Sequence, residues 1–335
     1  MVDARTSRQI DERLDALYQR HAPTDDATVA TYYESGRGYY EPELAGNERH
    51  KFGISIADLD GGLHRAGNHD EPFAMQSISK VFVYCLALAD CGSDRVLKQV
   101  GVKPSGDAFN SIILDERNSR PYNPMVNAGA IATTNMVRGR DVEEKVERIV
   151  EVMRLYAGNQ RLEVDQETFD REWHSADRNR AIAYLMRSQG ALVGDVEQTL
   201  AVYLQQCSIK VTCDDLARMA ATLANGGVNP VTGVVPLPAS RVRDVLSVMF
   251  TCGMYDFAGE WAFDVGVPAK SGVSGGILVA VPGKMGLSTY SPGLDPYGNS
   301  VRGVEVCREV SRRLGLHVFA GEDEDALLGP SAPAP

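Results

Sequence analysis

The stretch that decides the fold spans residues 73–89 and reads FAMQSISKVFVYCLALA. A short polar part leads into residues 81–89, all of which are apolar or aromatic. This pattern predicts a loop that feeds a buried helix. Ser77 and Lys80 stand three residues apart where that helix begins, so their side chains are expected to share one face. The sequence therefore predicts a hydroxyl and an amine side by side at the edge of the core.

A serine and a lysine at this spacing form the dyad of acyl-transfer enzymes. A serine hydroxyl is a weak nucleophile until a base takes its proton, and a nearby amine accepts that proton only while it is neutral. The apolar run after Lys80 favours the neutral amine, and the start of the helix offers backbone N–H groups to an oxyanion. A Ser-x-x-Lys match also arises about once by chance in a chain of this length. The pair alone therefore leaves open a helix-capping Ser77 beside a solvated Lys80.

A second motif, Lys270-Ser271-Gly272, lies far downstream of the first. Residues 273–281, VSGGILVAV, follow it and have the aliphatic content of a core strand. The motif matches the Lys-Thr/Ser-Gly element of penicillin-binding enzymes, where a strand beside the serine lines the cleft. Alone, a glycine-rich entry to a strand explains it equally well. The two motifs in this order predict one active site between a helix and a strand.

Composition and charge limit the classes of protein to consider. The chain has 335 residues and is 44% hydrophobic, enough for one large domain or two closely packed ones. A net charge of -11 argues against partners such as nucleic acid or anionic membranes, which require basic patches. The longest apolar run, residues 81–89, is too short to cross a bilayer, and the charged N-terminus lacks the apolar region of a secretory signal. We therefore expect a cytoplasmic protein.

The cysteines and histidines predict neither a metal site nor a cofactor. The six histidines are scattered without a His-x-x-x-His pair, and the six cysteines show no close metal-binding spacing. Most cysteines stand in apolar or helical settings, which is typical of reduced, buried thiols in a cytoplasmic protein. The cysteines are Cys85, Cys91, Cys207, Cys213, Cys252 and Cys307.

The order of elements predicts an α/β (α+β) fold. Residues 52–66 form a hairpin around Asp60-Gly61-Gly62, a helical middle follows, and strands after Lys270 lead to a closing helix at 299–314. This order predicts a mainly antiparallel sheet built from both chain ends, with a helical subdomain inserted between them. Residues 172–179 are expected to be a polar connection. The domain covers residues 25–318, between an amphipathic helical extension at 1–24 and an acidic, proline-rich and alanine-rich tail at 319–335 that is expected to be disordered.

Several further stretches resemble the serine-dependent glutaminases of the bacterial and mitochondrial kind, which share the fold of serine β-lactamases and penicillin-binding proteins. The resemblance covers roughly residues 25–318 and rests on the joint order of the motifs. These are 76–80 (QSISK), 104–106 (PSG) with 109–110 (FN), 123–130 (NPMVNAGA), 177–179 (DRN), Tyr203 before 207–208 (CS), 252–256 (CGMYD) and 267–273 (VPAKSGV).

The resemblance implies a role for each matching residue. Ser77 is the nucleophile, Lys80 the base, and Tyr255 the hydroxyl that relays a proton to the departing ammonia. Tyr40, in a Tyr-x-Pro-x-Leu segment, assists the dyad, although Tyr32 is the alternative because residues 36–38 look inserted. The backbone N–H groups of Ser77 and Val273 form the oxyanion hole. The α-amino and α-carboxylate groups of L-glutamine are held by Asn127, Glu172, Asn179 and Tyr203.

Two alternatives to a glutaminase remain at this point. A β-lactamase or D,D-peptidase of the same fold would be acylated by penicillins, but a signal peptide and a clear Ser-x-Asn element are missing. A catalytically silent protein would bind glutamine without releasing ammonia. The resemblance implies no metal or other cofactor, and it implies a homodimer or homotetramer.

Overall fold

The computed structural model describes residues 4–24 and 50–320, with side chains from residue 7 onward. Two predictions lie outside the described residues: the assisting tyrosine, whether Tyr40 or Tyr32, and the tail beyond residue 320. The division of the chain into residues 1–24, 25–318 and 319–335 stays a prediction.

A five-stranded antiparallel sheet passes through the centre of the fold, with the strand order β2 (Leu63–Gly67), β1 (Gly53–Asp58), β7 (Met285–Tyr290), β6 (Gly276–Val281) and β5 (Ala269–Ser271). β1 pairs with β7, so the two ends of the chain meet in one sheet, as predicted. The predicted hairpin is confirmed as β1 and β2, at one edge. The strands are β1 (Gly53–Asp58), β2 (Leu63–Gly67), β3 (Phe73–Ala74), β4 (Lys210–Val211), β5 (Ala269–Ser271), β6 (Gly276–Val281) and β7 (Met285–Tyr290).

The Lys270-Ser271-Gly272 motif differs from its prediction in one respect. Lys270 and Ser271 do not precede a single strand at 273–281; they lie in β5, which pairs back onto β6. Residues between the two strands form a tight turn, in which Gly275 has a φ of +97°. A Cβ on Gly275 would lie 2.2 Å from the carbonyl oxygen of Ser291, so only glycine fits there. The glycines that looked like a strand entry therefore make the turn of a hairpin.

Helices cover both faces of this sheet. On one face α9 (Cys213–Ala224) packs closely against β7. The absence of a side chain at Gly286 permits this approach, since a Cβ there would lie 2.2 Å from the carbonyl oxygen of Ala217. On the other face Leu14 of α1 (Ala4–His21) and Val306 of α12 (Val301–Leu314) share a core with Val279 of β6. The α-helices are α1 (Ala4–His21), α2 (Ser79–Cys91), α3 (Ser93–Gln99), α4 (Asn127–Met136), α5 (Val142–Ala157), α6 (Gln166–His174), α7 (Asp177–Ser188), α8 (Val196–Cys207), α9 (Cys213–Ala224), α10 (Ala239–Cys252), α11 (Ala258–Asp264) and α12 (Val301–Leu314).

The helical subdomain has a core of its own, formed mainly by α4, α7 and α8. The prediction of a polar connection at residues 172–179 was wrong, since Glu172 lies in α6 and Asn179 in the first turn of α7. Phe169 and Trp173 are one helical turn apart, with ring centroids 5.9 Å from each other, and both pack on this core. Two aromatic residues at helical spacing thus anchor this helix on the core, although most of its other residues are polar.

The predicted buried helix is confirmed as α2, which carries Lys80 in its first turn. Almost every residue of α2 is buried, so it crosses the core between the sheet and the helical subdomain. Within residues 4–24 and 50–320, no helix has both the length and the apolar character needed to span a bilayer. All six cysteines are free thiols, and five of them are buried.

Candidate active site

Ser77 lies in a single 3₁₀ turn, Gln76–Ile78, that runs directly into α2. Lys80 follows three positions after Ser77, as the second residue of α2. Gln76 begins the turn with a φ of +50°, in the left-handed region that residues other than glycine rarely occupy. Strain of this kind persists only where the surrounding structure fixes the backbone, and it often marks a functional site.

Lys80 is fully buried, and its side chain contacts neutral groups. Its Nζ donates a hydrogen bond of 2.6 Å to Oδ1 of Asn127 and lies 5.6 Å from the centroid of the Phe109 ring. No carboxylate of the described ranges forms an ion pair with it. Burial lowers the pKa of Lys80 to about 8. About a tenth of the amine is therefore neutral at pH 7 and about half at pH 8, so the neutral form that a general base requires is accessible.

Two buried asparagines connect this amine to the helical subdomain. Asn127 is the first residue of α4, and its Nδ2 donates a hydrogen bond of 3.0 Å to Oδ1 of Asn179. Tyr203 is buried on α8, one helical turn before Cys207. The amides thus present donors and acceptors without net charge beside Lys80, which suits the recognition of a small polar substrate.

Glu172 is a buried carboxylate at the same side of the molecule. Its Oε1 accepts a hydrogen bond of 2.8 Å from Nε2 of Gln76, which joins it directly to the Ser77 turn. Burial raises the pKa of Glu172 to about 7, although the Gln76 hydrogen bond favours the charged form. A buried carboxylate that lacks a basic ion-pair partner among the described side chains is suited to a cationic ligand.

Tyr255 occupies a second strained position, with a φ of +58° in the 3₁₀ turn Tyr255–Phe257. Its hydroxyl donates a hydrogen bond of 2.9 Å to the carbonyl oxygen of Ser271, and Nζ of Lys270 donates one of 2.6 Å to the same oxygen. Lys270 is fully buried, with its Nζ 4.0 Å from the centroid of the Tyr255 ring. Burial, and secondly the charge of Lys80, hold the pKa of Lys270 well below its usual value. The two motifs therefore bring two buried amines into electrostatic contact.

The turn that contains Val273 packs against the Ser77 turn. A Cβ on Gly272 would lie 3.0 Å from the carbonyl oxygen of Met75 and 3.3 Å from the side chain of Ile78. The backbone between β5 and β6 therefore touches the residues on both sides of Ser77. This is the neighbourhood in which two backbone N–H groups would have to converge on one oxyanion.

The structure joins the predicted site residues through three sets of contacts. Lys80, Asn127 and Asn179 form one chain of hydrogen bonds, Glu172 is tied to the residue before Ser77, and Tyr255 binds the β5 strand. Sequence reasoning gave no role to Gln76, Phe109 or Lys270. All three stand inside motifs that were recognised, but their contacts depend on how distant segments fold together.

Comparisons with known proteins agree with this geometry. The family model described as Glutaminase matches residues 37–319. A curated glutaminase of Trichormus variabilis is 55% identical over 303 residues, covering 90% of this chain and 88% of the relative. A curated glutaminase of Clostridium tetani is 47% identical and covers 84% of this chain and 92% of the relative.

Solved structures show the same likeness and confirm the predicted β-lactamase-like fold. A structure described as the probable glutaminase ybaS has a TM-score of 0.87 at 38% identity, covering 95% of this chain and all of that one. A Bacillus glutaminase structure has a TM-score of 0.82 at 35% identity, covering 93% of this chain and 99% of that one. A family match over most of the chain, close relatives and a shared fold lead to one conclusion: this chain belongs to the glutaminase family.

Proposed function

We propose that this chain hydrolyses the side-chain amide of L-glutamine to L-glutamate and ammonia through a γ-glutamyl ester on Ser77. Curated glutaminases that are 52% to 55% identical over most of the chain support the reaction and the substrate. One observation supports the dyad above all others. Lys80, three residues after the serine, is buried, has a pKa lowered to about 8, and donates a hydrogen bond to the side-chain amide of Asn127.

In the proposed acylation, neutral Lys80 takes the proton of Ser77, and the serine oxygen attacks the γ-carbonyl carbon. The backbone N–H groups of Ser77 and Val273 hold the resulting oxyanion. The C–N bond breaks as a proton passes through Tyr255 to the nitrogen, so the proton that began on the serine leaves with ammonia. Water then attacks the ester carbonyl and Lys80 takes its proton. The C–O bond to Ser77 breaks as Lys80 passes this proton to the serine oxygen, which releases glutamate and restores the serine and the neutral amine.

The remaining site residues would hold the two charged groups at the other end of glutamine. Glu172 is the partner for the α-ammonium, because it is a buried carboxylate without a basic partner among the described residues. Asn127, Asn179 and Tyr203 supply neutral donors and acceptors for the α-carboxylate and the ammonium. Tyr40 assists the dyad in this proposal, with Tyr32 as its alternative.

Glu172→Gln is expected to raise the KM for glutamine by about 10-fold to 100-fold, because a hydrogen bond to a charged group contributes about 1.5–3 kcal/mol. The change removes the negative charge and keeps the shape, so kcat should change little. Steady-state kinetics with ammonia detection give both constants. Glu167→Gln, at an exposed position of the same helix, is the matched control. An unchanged KM in Glu172→Gln would contradict the ammonium role.

The pH dependence of the reaction should report both buried groups. Because the base must be neutral, kcat is expected to rise with pH and level off above about 8, the pKa of Lys80. Because the carboxylate must be charged, KM should fall as pH rises through about 7, the pKa of Glu172. In Glu172→Gln the change of KM near neutral pH should disappear while the rise of kcat remains. A kcat that decreases between neutral pH and mildly alkaline pH would contradict Lys80 as the base.

A direct activity assay tests the function as a whole. Purified protein incubated with glutamine should release ammonia and glutamate in equal amounts. Saturable glutamine binding without ammonia would instead indicate a silent binding protein. Acylation by a labelled penicillin in preference to glutamine would indicate the β-lactamase-like alternative. A cytoplasmic location and a homodimer or homotetramer remain part of the proposal, and sedimentation of the purified protein measures the oligomeric state.

A further inference from the structure

A cavity of about 300 Å³ lies beside the proposed reaction centre, and we call it the side cavity. Residues 104–107 line it together with residues of α10 and α11, and much of its surface is apolar, for example Met125, Val126 and Phe250. Of the described residues proposed to attack or hold glutamine, Tyr255 alone contributes to its lining. The side cavity is therefore a space separate from the one that holds the substrate's charged end.

Two aromatic rings line the side cavity and also lie beside the buried amines of the reaction centre. Phe109 and Tyr255 both line the cavity, and their ring centroids are 4.5 Å apart. The same rings face the two buried amines, since Nζ of Lys80 lies 5.6 Å from the Phe109 centroid and Nζ of Lys270 lies 4.0 Å from the Tyr255 centroid. The pair of rings thus contacts both the open volume and the two amines, and we call it the uncharged partition.

We infer that the side cavity receives the ammonia released from glutamine and conducts it to solvent. The inference rests on the proposed function, in which Tyr255 hands the proton to the departing nitrogen, so ammonia forms next to this partition. Ammonia is neutral and close to water in size, and a water molecule occupies about 30 Å³ in the liquid. An apolar space admits such a molecule, whereas glutamate, with its charges, is excluded by the cost of desolvation.

Two carboxylates in the lining favour outward movement of ammonia through the side cavity. Asp107 and the exposed Asp256 both line it, and neither forms an ion pair with another described residue. Their negative charge favours ammonium over ammonia and disfavours the negatively charged glutamate side chain. Ammonia that reaches them takes a proton from solvent to become ammonium, which prevents its return through the uncharged partition.

The reverse path provides the test, because a route that releases ammonia also admits small neutral amines to the γ-glutamyl ester. Hydroxylamine attacks the ester carbonyl, forms a C–N bond and displaces Ser77 to give γ-glutamylhydroxamate, while water gives glutamate. The ratio of hydroxamate to glutamate is determined only by the steps that follow acylation. It therefore does not depend on how fast a variant is acylated or on how much of it is folded.

Gly259→Leu and Ala262→Phe are the two blocking variants, since both residues line the side cavity. A Cβ on Gly259 meets no atom within 4 Å, so a side chain can begin at this position without a clash. Glu260→Leu, on the same helix and outside the lining, is the matched control. We expect both blocking variants to lower the hydroxamate-to-glutamate ratio by about fivefold, because they obstruct a path used by a small product. The control should match the unmodified enzyme.

Either of two outcomes would overturn the inference. The first is a ratio in both blocking variants equal to that of Glu260→Leu; if one variant fails to fold, the other decides. The second is an unmodified enzyme that hydrolyses glutamine through a trapped γ-glutamyl ester but forms no hydroxamate. Both outcomes leave glutaminase activity intact, so they are distinct from a failure of the proposed function, in which no glutamate is formed.

Discussion

Ser77→Ala is expected to lower the glutaminase kcat by about 10⁴-fold or more, since removing the nucleophile of a serine enzyme leaves only binding and oxyanion stabilisation. The variant should retain the fold, because alanine fits the 3₁₀ turn and Ser77 occupies the end of a helix that is held mainly by its apolar residues. Ammonia release at saturating glutamine measures the loss. Circular dichroism and thermal unfolding establish that the variant is folded.

Ser188→Ala is a suitable control for this experiment. Ser188 lies at the exposed C-terminal end of α7, where its hydroxyl donates only to a backbone carbonyl of its own helix. It should leave kcat unchanged. A Ser77→Ala variant that keeps a measurable fraction of the original kcat would mean that another group attacks the amide, and the Lys80 assignment would lose its basis as well.

Lys80→Met is expected to lower kcat by about 10³-fold to 10⁴-fold, because general bases contribute up to about that factor and the serine has no other base nearby in the proposal. The same change should also remove the part of the pH dependence of protein stability that Lys80 causes. The native state lowers the Lys80 pKa from 10.5 to about 8, so between these values the unfolded chain binds a proton that the native chain does not. The stability of the unmodified protein therefore rises across this window.

The expected change in unfolding free energy follows from the pKa shift of Lys80. A change of one pKa unit corresponds to about 1.4 kcal/mol, so burying the charged amine destabilises the native state by about 3 kcal/mol below pH 8. The penalty disappears as pH rises through 10.5. The unfolding free energy of Lys80→Met minus that of the unmodified protein should thus fall by about 3 kcal/mol across the window.

Urea unfolding at the two ends of the window measures this difference. Lys98→Met, an exposed residue of α3, should show no such dependence and serves as the control. A difference between Lys80→Met and the unmodified protein that is constant over the window would mean that Lys80 is not desolvated in the native state. The proposed base would then be charged and unsuited to its role.

Local pattern was sufficient to predict much of this molecule. The apolar run after Lys80 predicted a buried helix, and alternation with a glycine turn predicted the β1–β2 hairpin. Both features depend on residues that are close in sequence, where burial and turn geometry leave a direct signature. The sheet built from both chain ends also followed, because the longer strand-like segments stand before and after a helical middle.

The parts that sequence could not predict depend on contacts between distant segments. The hydrogen bond from Lys80 to Asn127 spans 47 positions, and that from Gln76 to Glu172 spans 96. No periodicity encodes which buried amide meets which amine. The polar appearance of α6 misled the prediction at Glu172 for a related reason, since Phe169 and Trp173 are the only apolar residues of this helix. Lys270 stood in a recognised motif, but its shared acceptor with Tyr255 becomes visible only in the fold.

The central claim is that Ser77 carries the γ-glutamyl group between the two half-reactions. Rapid acid quenching during turnover of glutamine, followed by mass spectrometry of the intact chain and of its peptides, tests this claim most directly. The account predicts a fraction of protein heavier by one γ-glutamyl group, located on the Ser77 peptide and absent from Ser77→Ala. A γ-glutamyl group on any other residue, or steady ammonia release by Ser77→Ala, would contradict it.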